Sequence, residues 1–224
     1  MRELSKEEKQ QVIAKNVAKL FDEDPSYRVV NLGVGIPTMA ANYVTRDDLT
    51  IMAENGMLGV GPVTDEAHAH PDLINASRQS VLETPGCWYT DSAEAFGLIR
   101  GGHIDATVLG AFEVDQDANV ANWIIPGGKQ LGVGGAMDLV SGARKVIIAM
   151  THTSKTGPKL IKHCTLPLTA KGKVSTVVTE YAVFSFENGR IELVKKADYI
   201  SLEELKAITE VEYEVAENLG TMVE

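Results

Sequence analysis

Apolar residues recur at helical spacing near the start of the chain, at Val12, Ile13, Val17, Leu20 and Phe21, and Ser5 with Glu8 makes an S-x-x-E capping box just ahead of them. The pattern predicts an opening amphipathic helix. Tyr27 to Leu32 then reads as a short strand, the Gly33-Val34-Gly35 turn follows, and Pro37 suits the first turn of a helix through Val44. Leu49 to Ala53 predicts a second strand that ends directly at Glu54-Asn55-Gly56. Asp91 or Ser92 can cap a helix to Arg100, Gly101-Gly102 stops it, and Ile104 to Leu109 resumes as strand. Ala136 to Ser141 and Val146 to Met150 repeat the alternation. Val174 to Thr179 and Tyr181 to Phe186 read as strands, Asn188-Gly189 as a hairpin turn into Ile191 to Val194, and Ser201 with Glu204 as a second capping box. The acidic tail after Glu210 is expected to finish the domain or to fray. Strands alternating with short helices predict an α/β fold, a single open and largely parallel sheet over residues 1–224, with ligands gathering at the carboxyl ends of strands. Glu54 sits at such an end.

With 224 residues and 44% hydrophobic content the chain can bury one sizeable core, and no repeat, low-complexity run or linker divides it. A formal net charge of -10 argues against general binding to nucleic acid or to an anionic membrane, because both need a broad cationic face. The polar start from Met1 to Gln11 does not read as a signal peptide, and no apolar run is long enough to span a bilayer. A cytoplasmic location is expected. Cys87 and Cys164 fall in no metal-ligand or CxxC spacing and read as reduced, mostly or wholly buried thiols.

Glu54-Asn55-Gly56-Met57-Leu58-Gly59-Val60-Gly61-Pro62 joins an ionisable side chain to three glycines and reads as a loop that backbone can bring close to a ligand. By itself the segment serves equally well as a turn stabilised by a glutamate. It resembles, however, the S-E-N-G-x-x-G-x-G-P signature of family I coenzyme A transferases, with Ala53 in place of the usual serine. Asp72-Leu73-Ile74-Asn75-Ala76, Ile99-Arg100-Gly101-Gly102-His103-Ile104-Asp105, Ala121-Asn122-Trp123-Ile124-Ile125-Pro126-Gly127 and Gly134-Gly135-Ala136-Met137-Asp138-Leu139-Val140 resemble the same family, in its order and near its spacing. Together the five blocks cover most of residues 28–180.

The resemblance implies the beta chain of such an enzyme, with the fold shared by ribose-phosphate isomerases and glucosamine-phosphate deaminases. It further implies transfer of CoA between short-chain carboxylic acids, with Glu54 as nucleophile and CoA as substrate and covalent intermediate. A carboxylate is ionised at neutral pH, so it can attack a thioester without a general base. Gly135 is implied as a backbone N–H donor to the oxyanion hole, with Ala136 beside it. Asn31, Asn55, Gly56 and Arg78 are implied near substrate or CoA, and the family commonly carries lysine where Arg78 stands. Read without the resemblance, these are a glycine helix start, an asparagine satisfying turn backbone and an exposed arginine. No bound cofactor or metal is implied. An alpha subunit is, in an alpha2beta2 heterotetramer. Val146 to Met150, Thr151-His152-Thr153 and Cys164 to Lys171 look closest to the butyrate–acetoacetate branch, with acetate as another acid. Succinate:3-oxoacid and 3-oxoadipate transferases share every motif, and the cation their extra carboxylate needs is not evident in the sequence.

Other signals are weaker. Asp65-Glu66-Ala67-His68-Ala69-His70 invites a metal, but no distant third ligand is identifiable and a solvated loop is expected. His103, His152 and His163 read as structural, and Trp88 and Trp123 as core. Gly33-Val34-Gly35 and Gly132-Val133-Gly134 do not complete a dinucleotide fingerprint. A phosphosugar-binding sensor or isomerase of the same fold, and a non-catalytic assembly protein, remain as rivals from other classes.

Overall fold

Helix α1 (Lys6–Glu23) begins where the capping box predicts: the Ser5 hydroxyl accepts from the Glu8 N–H at 3.1 Å and Glu8 Oε2 accepts from the Ser5 N–H at 2.7 Å. The computed structural model describes residues 2–65, 67–125, 127–128, 132–187 and 189–224. The expected roles of Glu66, Pro126 and Asn188 therefore lie outside the described residues. Along the chain follow β1 (Val29–Leu32), α2 (Ile36–Met39), a 3-10 turn (Ala40–Asn42), β2 (Thr50–Ala53), β3 (Met57–Val63), β4 (Val81–Tyr89), α3 (Ser92–Arg100), β5 (Ala106–Leu109), β6 (Glu113–Asp115), β7 (Val120–Ala121) and α4 (Ala136–Gly142). The second half carries β8 (Lys145–Ala149), β9 (Thr153–Ser154), β10 (Gly157–Pro158), β11 (Leu160–Ile161), β12 (Thr176–Val178), β13 (Ala182–Ser185), β14 (Glu192–Lys196), α5 (Leu202–Ala207) and β15 (Glu214–Thr221).

Ten strands make one open sheet in the order β15-β14-β13-β12-β8-β5-β1-β2-β3-β4. Its middle, β12-β8-β5-β1-β2, is parallel throughout, as the alternation of strands and helices predicts. Antiparallel pairs extend it on both sides, and β15 closes the far edge parallel to β14. The inner strands are covered on both faces. All four residues of β5 are buried, as are Val146, Ile147, Ile148 and Ala149 of β8, which is why these strands read as continuous apolar runs. From one side α1 lays Val12, Ile13, Val17 and Phe21 against this core. Phe21 is fully buried and meets the Tyr27 ring edge-on at 5.2 Å, so Phe21→Ala would destabilise the fold by about 3–5 kcal/mol.

Three expectations need correction. The glycine segment after Glu54 is a loop only across residues 54–56; from Met57 it is strand, pairing with β2 and β4. Gly59 and Gly61 are there because β4 lies against them: a Cβ at Gly59 would stand 2.8 Å from Thr84 Oγ1, and one at Gly61 2.8 Å from the Leu82 carbonyl oxygen. Trp88 is 48% exposed on β4 and is not core. His163 is exposed, with Asp117 at 3.9 Å, whereas His152 is fully buried and hydrogen-bonded as a structural histidine. The acidic tail becomes strand β15. Cys87 and Cys164 are free and half-buried. No helix among the described residues is long and apolar enough to cross a membrane.

Candidate active site

Strand β2 ends at Ala53, and the chain reverses through Glu54, Asn55 and Gly56 into β3. Gly56 has φ +122°, and a Cβ on it would fall 2.2 Å from the Thr90 carbonyl oxygen, which itself follows β4. No other residue makes this turn without moving backbone. A small satellite core of Ala53, Met57, Val60 and Val81 fixes the hairpin beneath it. The turn therefore holds Glu54 at the carboxyl end of a parallel strand, half-buried and facing a cleft of about 640 Å³.

One oxygen of Glu54 is held from below. Asn31, fully buried in β1, donates from Nδ2 to Glu54 Oε2 at 2.9 Å and to the Met52 carbonyl at 3.2 Å. Its own Oδ1 accepts from Thr107 Oγ1 at 3.1 Å, on the neighbouring strand β5. Two adjacent parallel strands thus aim one carboxylate oxygen, and Oε1 makes no hydrogen bond among the described residues.

Across the cleft, α4 starts at Gly135, whose added Cβ would lie 3.7 Å from Glu54 Cγ and 2.9 Å from Phe96 Cζ. Glycine lets the backbone come beside the carboxylate. Phe96 is kept there by α3, which Arg100 ties to α4 through Asp138 at 2.9 Å while its guanidinium carbon lies 5.6 Å from the Phe96 ring centre. The Gly135 N–H has no hydrogen-bond partner among the described residues, whereas the Ala136 N–H is taken by the Val133 carbonyl at 3.2 Å.

Asn31, Glu54, Gly135 and Ala136 therefore come together. Asn55 and Arg78 stand apart from this cleft. The Asn55 amide donates to the Ile74 carbonyl at 2.9 Å, and Arg78 is exposed at φ +63° in the turn after Asn75. Three further residues at or beneath the cleft were not found from sequence. Thr107 was signalled only by being the one polar residue in the run Ala106 to Leu109. Gln10, on α1, and Lys159, just after β10, reach the cleft through the fold and carry no local motif. Burial pushes the Lys159 ammonium down to about 8, partly offset by the charge of Glu180. The described residues hold no cluster of metal-ligating side chains.

The sequence profile of the family described as Coenzyme A transferase matches residues 12–204. Among curated proteins, the beta chain of an acetate CoA-transferase of Escherichia coli (strain K12) is 52% identical over 214 residues, covering 94% of this chain and 96% of that protein. One of the two chains of a succinyl-CoA:3-ketoacid coenzyme A transferase of Helicobacter pylori (strain J99) is 45% identical over 206 residues, covering 92% of this chain and 98% of that protein. Among solved structures, glutaconate coenzyme A-transferase from Acidaminococcus fermentans superposes with a TM-score of 0.70 at 18% identity, over 96% of this chain and 88% of that one. An acyl-CoA transferase apoenzyme from Escherichia coli O157:H7 gives 0.72 at 21% identity, over 96% of this chain and 43% of that one.

Proposed function

The chain belongs to the coenzyme A transferase family, and from that premise we propose that it moves CoA between short-chain acids through a glutamyl-CoA thioester on Glu54. The observation that carries this reading is the carboxylate itself: one oxygen is held by Asn31 at 2.9 Å, the other is open to the cleft, and the Gly135 backbone stands beside it.

In the proposed reaction the free carboxylate oxygen attacks the acyl-CoA carbonyl carbon, the C–S bond breaks, and CoA leaves as thiolate with an acyl-glutamyl anhydride formed. The thiolate then attacks the glutamyl carbonyl of that anhydride and expels the first acid as its carboxylate. Glu54 now carries CoA, and the second acid runs the two steps in reverse. The thioester is conserved, so no ATP is consumed, and the kinetics are ping-pong. Each attack raises a tetrahedral oxyanion. The unpartnered Gly135 N–H suits that charge, and losing one such donor costs a rate factor of about a hundred or more. Ala136, with its N–H engaged, shapes the wall, and Asn31 orients the nucleophile. Asn55 and Gly56 form the turn that presents Glu54, and the exposed Arg78 is suited to an anionic group of CoA outside the cleft.

We assign the acids as acetoacetate with butyrate or acetate; acetate is named in the relatives at 52% and 48% identity. Succinyl-CoA with a 3-oxoacid is the alternative pair, named in relatives at 45%. The same proposal includes one domain over residues 1–224, an alpha subunit in an alpha2beta2 complex, and a cytoplasmic setting. Co-expression with the alpha subunit, addition of acyl-CoA without acceptor, borohydride reduction and peptide mass mapping test it. The adduct is expected on Glu54. An adduct on another residue, or full transferase activity in Glu54→Ala, rejects the reading.

A further inference from the structure

The cleft that holds Glu54 is mostly apolar, lined by residues such as Leu109, Phe112, Leu139 and Met150. Among the described residues Lys159 is the one basic side chain on its wall. Its backbone is fixed, the N–H donating to the His152 carbonyl at 3.1 Å and the carbonyl accepting from the Val114 N–H at 2.9 Å. Its ammonium has no ion pair and no hydrogen bond among the described residues. The nearby carboxylate of Glu180 is fully buried, and its Oε1 already faces Lys9 at 3.6 Å. Holding an ammonium in an apolar wall without a partner is unfavourable unless a ligand completes it.

We propose that Lys159 reads the far end of the acyl group, donating a hydrogen bond to an acceptor oxygen that the acid carries beyond its reacting carbon, either a 3-oxo group or a second carboxylate. This rests on the transferase reading of Glu54. The reacting carboxyl group must lie at Glu54 and Gly135, so a cation elsewhere on the same wall meets a different part of the substrate. CoA phosphates are a poor match, because they bring several charges on a long neutral arm and a single half-buried ammonium cannot satisfy them. A carbonyl or carboxylate oxygen a few bonds from the reacting carbon can be satisfied by one donor, with Leu109, Phe112 and Met150 covering the intervening carbons. Glu180 supports the role from behind, since its negative charge favours the protonated amine.

Steady-state kinetics of the complex with the alpha subunit test this, using acetoacetate, succinate, butyrate and acetate as acceptors for wild type, Lys159→Met and Lys159→Arg. Borohydride trapping at Glu54 runs alongside. Lys159→Met is expected to raise KM about ten- to a hundredfold for acetoacetate, succinate or both, leaving butyrate and acetate within about threefold and kcat largely kept. Lys159→Arg should restore part of any loss with succinate. A change confined to succinate assigns the second carboxylate, and one confined to acetoacetate assigns the 3-oxo group. Equal losses with all four acids, or no change with any, overturn the proposal while the Glu54 adduct stands. Absence of an adduct in wild type overturns the transferase reading and this inference with it.

Discussion

Glu54 and Glu180 both act on one cleft, but Glu54 stands in its wall and Glu180 lies wholly inside the protein. Glu54 has one oxygen anchored and one free. Glu180 has Oε2 accepting from the His152 N–H at 2.7 Å, while Oε1 makes no hydrogen bond and has only Lys9 at 3.6 Å. Burial raises the Glu180 pKa, and the His152 N–H and Lys9 pull against that rise. The difference separates two uses of a carboxylate. A nucleophile needs a fixed direction together with access, which a strand-end turn over a buried asparagine provides. A carboxylate that serves only through its field needs neither, and can sit where no thioester could reach it.

Glu54→Gln breaks that contrast most directly. It keeps the Asn31 contact through its amide oxygen but removes the nucleophile, so kcat should fall by more than about a thousandfold with little change in melting temperature. A variant with both activity and adduct intact would make the two glutamates alike. Asn31→Ala, next in size, leaves Glu54 in place without its anchor and Thr107 without its acceptor. It should lower kcat about ten- to a hundredfold and destabilise the fold by about 1–3 kcal/mol, as read by denaturant unfolding. Glu180→Gln should do the reverse: roughly 1–3 kcal/mol less stable from a disturbed buried charge cluster, with the Glu54 adduct still formed. Loss of the adduct in Glu180→Gln would contradict the division of roles.

Local signals in the sequence carried the parts of this molecule that local physics decides. Both capping boxes form, at Ser5 with Glu8 and Ser201 with Glu204, because each is a contact between residues three apart. Strands β1, β2, β5 and β8 were legible as apolar runs because both their faces are covered. Strand β4 was not: Leu82, Glu83, Thr84, Pro85 and Gly86 are exposed, and only its pairing to β3 makes them strand. A proline is tolerated there because β4 is an edge. Strand β15 was hidden for the same reason, its acidic residues having no apolar face to announce it. At the site, Glu54, Gly135 and Asn31 were found through motif resemblance, and the structure adds the contacts that join them. Lys159 and Thr107 reach the site through β10 and β5, by a topology that spacing along the chain does not encode.

The smallest expected effect tests the buried side of the comparison. His152 is fully buried, with Nδ1 3.0 Å from Thr179 Oγ1 and Nε2 2.9 Å from Thr209 Oγ1, and desolvation pushes its pKa down to about 4. An unfolded histidine titrates near 6.5. Between those values the unfolded chain binds a proton that the native protein does not, so stability falls as pH drops through that window. From pH 7 to 5.5 the loss attributable to His152 is about 1 kcal/mol. Urea unfolding across this range should show a shallower pH slope in His152→Gln than in wild type, because carboxylate titrations are common to both proteins and cancel. Identical slopes would mean that His152 takes up its proton in the native state, and that the node around Glu180 opens to water as readily as the cleft around Glu54.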